Sequence, residues 1–344
     1  MPRELNSIER KFLEQLTVRK LVLTGEHVLA AVSSGPDSMA LLYLLCAIRP
    51  VLHCRVSVAH CNFQLRGEES RLDEEHVLRE AEKLGLDCHV RSFDTQKEAG
   101  EWKRSVEETA RIERYDYFHE LIEEHGFDKI ATGHHVNDNA ETILFNLFRG
   151  TSIPGLRGIR AYHGHIIRPL LLMRKDDILR YISDKKIDYR MDASNLGVEP
   201  DRNFIRHRII PLIEQRFENK LLPSLQRLSE QAAELEEFLE LHFERLVQED
   251  QGLALKDNRL SVPSLLGLTV FERKELLKRA AQDCGCEPSS RLLLQLVNLL
   301  QTQPGRRVQL AARLEVVWKG KYLQFRRKSK TEENDEKKGS VELL

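Results

Sequence analysis

Two short clusters in this chain carry residue types suited to phosphate and proton chemistry. The first is Ser33-Ser34-Gly35-Pro36-Asp37-Ser38, set between an apolar run at 28–32 and a helical apolar pattern at 39–45. In a strand-to-helix junction of that composition, backbone N–H groups approach phosphate oxygens closely and the hydroxyls of Ser33 and Ser38 add donors. The helix that follows points its positive end at the same spot. No Lys follows the loop, which separates it from a Walker A motif. The same residues also describe a hydroxyl-rich turn with Asp37 or Ser34 as N-cap of a core helix.

The second cluster, Gly133-His134-His135-Val136-Asn137-Asp138-Asn139-Ala140-Glu141-Thr142, follows a predicted strand and opens a predicted helix. Asp138 and Glu141 are three apart and so share a helical face, where they could bind a divalent cation, receive a cationic substrate or relay protons. The alternative is a capping role, with Asn137 or Asp138 at the N-cap and Glu141 completing a box. A His-Glu-x-x-His pattern is absent, which leaves His134 and His135 weak as metal ligands. Two basic segments add to these. Arg111 and Arg114 lie on one face beside Tyr115, either as a clamp for phosphate or, through Glu107 and Arg111, as an ordinary i,i+4 pair. Arg202, Asn203, Arg206 and Arg208 form a basic stretch with apolar interleaving, fit for phosphate contacts or for a solvated helix face.

The elements that must position these residues alternate. Strands are predicted at 28–32, 55–60, 86–93 and 128–132, with helices at 6–16, 37–48, 69–84, 105–125, 137–149 and 175–186. That order implies a parallel sheet with crossover helices on both faces and a ligand outside the carboxyl ends of the strands. A short edge segment is expected at 165–172. From 222 to 249 the spacing is that of one long amphipathic helix. Helices at 271–283 and 289–302 and strands at 308–310, 314–318 and 322–325 complete a smaller α+β domain. The expected division is 1–217, 218–328 and a disordered charged tail at 329–344.

With 53 Lys and Arg against 54 Asp and Glu among 344 residues, the net charge of −1 excludes a globally basic coat. Positive charge is local: residues 305–330 hold nine cationic residues, Arg306 and Arg307 among them, against the single Glu315, a patch suited to RNA backbone. No apolar run reaches the ~20 residues of a bilayer span and no signal peptide opens the chain, so the expected location is the cytoplasm, without a membrane. Six cysteines without a Cys-x-x-Cys pair argue for reduced thiols rather than a zinc or iron–sulfur site.

Taken in order, the loop at 33–38, Ala59-His60-Cys61-Asn62 to Ser70, the Glu107 to Tyr115 segment, Gly133 to Thr142, Asn146 to Gly150, Arg168-Pro169-Leu170-Leu171, and Asp192, Ser194 and Asn195 through Arg202, Asn203 and Arg206 resemble the tRNA(Ile)-lysidine synthetases. These belong to the N-type ATP pyrophosphatase, or PP-loop, superfamily. The resemblance implies an adenine nucleotide α-hydrolase-like, Rossmann-like domain and a two-step reaction. ATP adenylylates the carbonyl oxygen at carbon 2 of the wobble cytidine in the CAU anticodon of tRNA(Ile), and free L-lysine then attacks that carbon and displaces AMP. It implies ATP and Mg²⁺ held by Ser33, Ser34, Gly35, Pro36, Asp37, Ser38, His60 and Gly133, with Asp37 and Asp138 as metal ligands. Asp37, Arg111, Arg114, His134, Asp138 and Glu141 become the catalytic set, with His134 a proton acceptor near neutral pH. Arg149, Arg202, Asn203, Arg206, Arg208, Arg306 and Arg307 become RNA contacts, and a homodimer is left open.

Two positions depart from the family's pattern. Ser34 stands where the family has Gly, so a positive φ there is disfavoured. Asn137-Asp138 replaces two adjacent acids. The competing readings are a tRNA-cytidine thiolase of the same superfamily, which calls for cysteine pairs, and a non-catalytic ATP- or RNA-binding module.

Overall fold

A computed structural model describes residues 4–190 and 200–327. Its central strand, β1 (His27–Ala31), is covered on both faces, which is why its sequence is almost wholly apolar. Val28 and Ala30 join Phe12, Leu41 and Leu45 in one buried cluster, while Leu29, on the opposite side of the pleat, joins Ala59, Phe118, Leu121 and Ile130 in another. The first cluster is supplied by α1 (Ser7–Val18) and α2 (Pro36–Leu52), and later by α8 (Lys175–Lys185). The second is supplied by α5 (Val106–His125).

Around β1 stand β2 (Arg55–Asn62), β3 (Cys88–Ser92), β4 (Lys129–Ala131), β5 (Tyr162–His163) and β6 (Ile166–Ile167), in the order β3-β2-β1-β4-β6-β5. All pairs are parallel except β5 on β6. Ala30 faces Ala131 across β1 and β4, so the two strands end side by side. The crossovers are α2, α3 (Glu68–Lys83), the pair α4 (Thr95–Trp102) and α5, and then α6 (Val136–Phe148) and α7 (Ile153–Arg157). After α8 the described chain resumes with α9 (Pro200–Phe204), a wide π turn at Ile205–Ile209 and α10 (Ile210–Arg216), followed by the long α11 (Leu221–Glu249).

The chain divides into two compact units, one reaching Glu234 and the other starting at Leu235, so the division falls inside α11. In the second unit β7 (Arg259–Ser261), α12 (Val262–Leu266), α13 (Val270–Asp283), α14 (Ser290–Leu299), β8 (Arg307–Ala311), β9 (Leu314–Lys319) and β10 (Tyr322–Arg327) follow in order. Its sheet is antiparallel, β7-β10-β9-β8. Phe243, Leu277, Leu296, Val316, Leu323 and Phe325 make its core.

Several details differ from the pattern reading. α2 runs through Pro50 to Leu52, beyond the predicted end at 48. The elements α4, β5, α7, the π turn, α10, β7 and α12 went unread, since each is too short to show a period. The N-cap of α2 is Gly35 rather than Ser34 or Asp37, and that of α6 is His135 rather than Asn137 or Asp138. Asp192, Ser194, Asn195, Lys328, Lys330 and the tail at 329–344 lie outside the described residues. No helix among the described residues is long and apolar enough to cross a membrane.

Candidate functional site

The loop after β1 is folded by its own hydroxyls. Ser33 N–H donates to Ser38 Oγ at 3.1 Å, and Ser38 Oγ donates to the Gly35 carbonyl at 3.0 Å, which closes the turn on the first residues of α2. Pro36 occupies the first turn of α2, where a missing N–H costs nothing, and no side chain caps that end. Ser34 adopts φ 67°, the left-handed conformation that its side chain disfavours. Its side chain is 2% exposed and turned inward, whereas Ser33 is exposed. His60, at the end of β2, is buried and its Nδ1 donates to the Val32 carbonyl at 2.8 Å. This bond leaves Nε2 as an acceptor, and burial lowers the ring's pKa.

The loop after β4 lies against that turn. A Cβ on Gly133 would stand 3.3 Å from the carbonyl carbon of Asp37 and 3.3 Å from Ser38 N, so a glycine there permits the close approach. His135 then bridges the two junctions. Its Nε2 is 3.6 Å from Asp37 Oδ1 and its Nδ1 is 3.5 Å from Asp138 Oδ2, and its ring is buried. Asp138 Oδ2 also accepts the His135 backbone N–H at 2.9 Å, closing the N-terminus of α6. Lys175, the first residue of α8, pairs with Asp37. Burial raises the Asp37 pKa, but the His135 contact and Lys175 outweigh it, so the net shift is downward and the carboxylate is ionised.

Glu141 is buried and held by Arg206 in a bidentate pair, with Nε to Oε1 at 2.7 Å and Nη2 to Oε2 at 2.8 Å. The same guanidinium reaches Asp138 Oδ1 at 3.4 Å. The π turn makes this possible. Its extra residue per turn lets Ile205 and Ile210 both pack on Ala140, Ile143 and Leu144 of α6, and Arg206 follows Ile205 toward the acids. The basic stretch is therefore not a uniform solvated face: Arg206 is committed inward, while Arg208 is exposed and Asn203 half-buried. Arg202 and Arg149 both stack on Phe145, each at 5.1 Å from the ring centre.

Arg111 stacks on Tyr115 and Arg114 on Phe63, each at 5.3 Å. The ordinary pair expected between Glu107 and Arg111 is not formed; Arg104, just ahead of this helix, pairs with its Glu108 instead. His134 donates to or accepts from Thr132 Oγ1 at 3.0 Å. Burial lowers its pKa to about 4, Asp138 acts in the opposite direction, and Arg168 and Arg114 lower it further. The expected base near neutral pH is thus a neutral ring of low basicity. Arg168, at the end of β6, is a further member of this cation group, and its Nη1 donates to the Arg160 carbonyl at 2.6 Å.

Sequence reasoning missed His135, Lys175 and Arg168 as members of the site. His135 was visible only as the neighbour of His134, and Lys175 belongs to no motif. Arg306 and Arg307 are exposed in the other unit, lining a cleft of about 940 Å³ with Gln295, Asn298 and Gln301. Glu315 beneath them is fully buried and bound by Arg326 at 2.7 Å and Arg307 at 3.7 Å.

A parallel sheet with a hydroxyl loop and an acid-bearing loop meeting at its carboxyl edge defines a class: the PP-loop domain, whose family model matches residues 5–213. A tRNA(Ile)-lysidine synthase of Chlorobaculum tepidum is 53% identical over 322 residues, covering 94% of this chain and 97% of that protein. One from Clostridium perfringens is 35% identical over 277 residues, which are 79% of this chain and 59% of that protein. Among solved structures, the U34-tRNA thiolase NcsA of Methanococcus maripaludis superposes with a TM-score of 0.55 at 17% identity, over 66% of this chain and 78% of that one, a likeness of fold. The chain belongs to the tRNA(Ile)-lysidine synthase family of PP-loop proteins.

Proposed function

We propose that this protein uses ATP to adenylylate the carbon 2 carbonyl oxygen of the wobble cytidine in tRNA(Ile) bearing the CAU anticodon, and then joins free L-lysine to that carbon. The products are lysidine, AMP and pyrophosphate, and the work is done in the cytoplasm. Family membership supports this reading, and one observation carries it: Gly133 seats the acid-bearing junction on the backbone of the hydroxyl loop, so one mouth holds both phosphate donors and carboxylates.

In the first step the cytidine oxygen attacks the α-phosphorus, the bond to the β-phosphate oxygen breaks and pyrophosphate leaves. The N–H groups of the uncapped start of α2 and the exposed Ser33 hydroxyl hold the departing charge, while Ser38, whose hydroxyl proton is spent on the Gly35 carbonyl, keeps the loop folded around it. Asp37, held ionised, and Asp138 are the residues that would hold Mg²⁺, each offering a carboxylate oxygen at the mouth. Such an ion, when bound, supplies charge neutralisation at the triphosphate. A base in an anticodon loop is already unpaired and turns into a pocket at low cost. His134, neutral at physiological pH, serves as a hydrogen-bonding group beside Arg114, which with Arg111 places phosphate or the activated base.

In the second step the lysine side-chain ammonium gives a proton to a carboxylate of the Asp138–Glu141 pair, the freed amine attacks carbon 2, the bond from that carbon to oxygen breaks, and AMP leaves with the oxygen. Asp138 and Glu141 carry two negative charges, of which Arg206 offsets one. One charge is left uncompensated, and a lysine ammonium matches it. Arg149, Arg202, Asn203 and Arg208, with Arg306 and Arg307 of the second unit, are assigned to RNA contacts. The thiols give no support to a thiolase: burial raises the Cys61 pKa to about 12 and that of Cys46 to about 11, so both stay protonated.

The test is an omission series. Pyrophosphate release should require ATP and tRNA(Ile) together, and labelled lysine should enter the RNA. Sulfur incorporation, or ATP binding without turnover, would refute the assignment.

A further inference from the structure

Ser34 replaces the loop glycine of the family pattern, and the structure supplies it with a partner from another element. At φ 67° a residue with a Cβ is strained where glycine is not, and that conformation persists only where its surroundings impose it. Here Ser34 Oγ donates to Asp73 Oδ1 at 2.9 Å, and the Ser34 carbonyl accepts the Arg190 backbone N–H at 3.0 Å. Asp73 lies on α3 and is 7% exposed. Its Oδ2 receives Arg66 at 2.6 Å and its Oδ1 receives Arg190 Nε at 2.7 Å. A bare carboxylate behind a phosphate loop would repel the triphosphate. Two guanidiniums offset that charge, which leaves Asp73 as a fixed acceptor.

We propose that Asp73 is a positioning residue for ATP. By accepting the Ser34 hydroxyl it holds the loop in the left-handed turn that glycine reaches unaided, and it keeps the serine side chain inside the protein and off the phosphate path. In this chain the serine that stands in place of a glycine is thus held by the hydrogen bond it donates to α3. This rests on the reading that residues 33–38 bind ATP.

A double-mutant cycle on the full chain tests it, using KM for ATP and kcat in pyrophosphate release with tRNA present. Asp73→Ala in the natural background is expected to raise KM for ATP about tenfold, as befits the loss of one hydrogen bond to a charged group, with KM for lysine moved far less. In a Ser34→Gly background the same Asp73→Ala change is expected to raise KM for ATP by less than about threefold, because glycine has no hydroxyl to anchor. An equal factor in both backgrounds would overturn the proposal. Should Asp73→Ala not fold, Ser34→Ala keeps Asp73 with both arginines and removes only the hydroxyl. It is expected to raise KM for ATP about tenfold with the melting temperature shifted by only a few degrees, and an unchanged KM would overturn the proposal. Failure of the ATP reading is a separate result, in which the natural chain itself releases no pyrophosphate.

Discussion

The junctions that follow β1 and β4 are neighbours, share a strand-loop-helix form and aim two helix N-termini at one mouth, yet they use those termini in opposite ways. The start of α2 has no side-chain cap, and its loop is uncharged apart from Asp37. Its donors are left for a ligand. The start of α6 is closed by Asp138, which takes up the His135 N–H and also lies favourably in the helix dipole. The same backbone geometry therefore makes an anion cradle in one strand-end loop and an acidic, cation-seeking edge in the next. Gly133 lets them touch, and the His135 ring stands between one carboxylate of each, 3.6 Å from Asp37 and 3.5 Å from Asp138.

The comparison breaks most visibly at the acids. Asp138→Ala and Glu141→Ala should each lower lysine incorporation by about 10³-fold if the second junction receives the amine, as for loss of acid–base groups. Their folding stability should fall by far less, Glu141→Ala losing roughly 1–3 kcal/mol because Arg206 is left without its carboxylate. Lysine incorporation unaltered in both would remove the acids from the mechanism.

Separating the junctions is the next largest effect. Gly133→Ala forces a Cβ to within 3.3 Å of the Asp37 and Ser38 backbone, so one loop must move by a few tenths of an ångström. KM for ATP should rise by roughly five- to tenfold, since small misplacements in such sites are costly. A variant with natural KM would mean that the close approach does not serve nucleotide binding.

The smallest effect is on stability against pH. The folded protein holds His134 neutral down to about 4, while the unfolded chain protonates it below its ordinary 6.5. Stability from this group is therefore complete above pH 6.5, is lost as pH falls from 6.5 toward 4, and changes no further below that. Urea titrations should show the natural protein losing about 3 kcal/mol more than His134→Asn across that window. Parallel curves would show that the arginines and burial around His134 do not act as described.

What could be read in the sequence was what local pattern encodes. The doubly covered β1 announces itself as an apolar run, and the hydroxyl loop as a break between two periodicities. The motif order was enough to name the family. What could not be read depends on contacts between residues far apart in the chain. Lys175 meets Asp37 across 138 residues and Arg206 meets Asp138 across 68, and neither separation leaves a local trace. The N-cap of α6 was misplaced because Asn137 and Asp138 are better cap residues by type than His135, and the position was decided instead by where β4 delivers the chain. The left-handed Ser34 contradicts its own local preference, and its explanation lies on α3.

The central claim is that one mouth runs two half-reactions with two sets of residues. Parallel measurement of pyrophosphate release and labelled-lysine incorporation on Asp37→Asn and Glu141→Ala, with ATP, Mg²⁺ and tRNA(Ile) present, tests it most directly. Asp37→Asn should abolish both signals, whereas Glu141→Ala should keep tRNA-dependent pyrophosphate release and lose lysine incorporation, leaving adenylylated RNA. Pyrophosphate release lost in Glu141→Ala, or lysine still incorporated by Asp37→Asn, would contradict the division of labour between the two junctions.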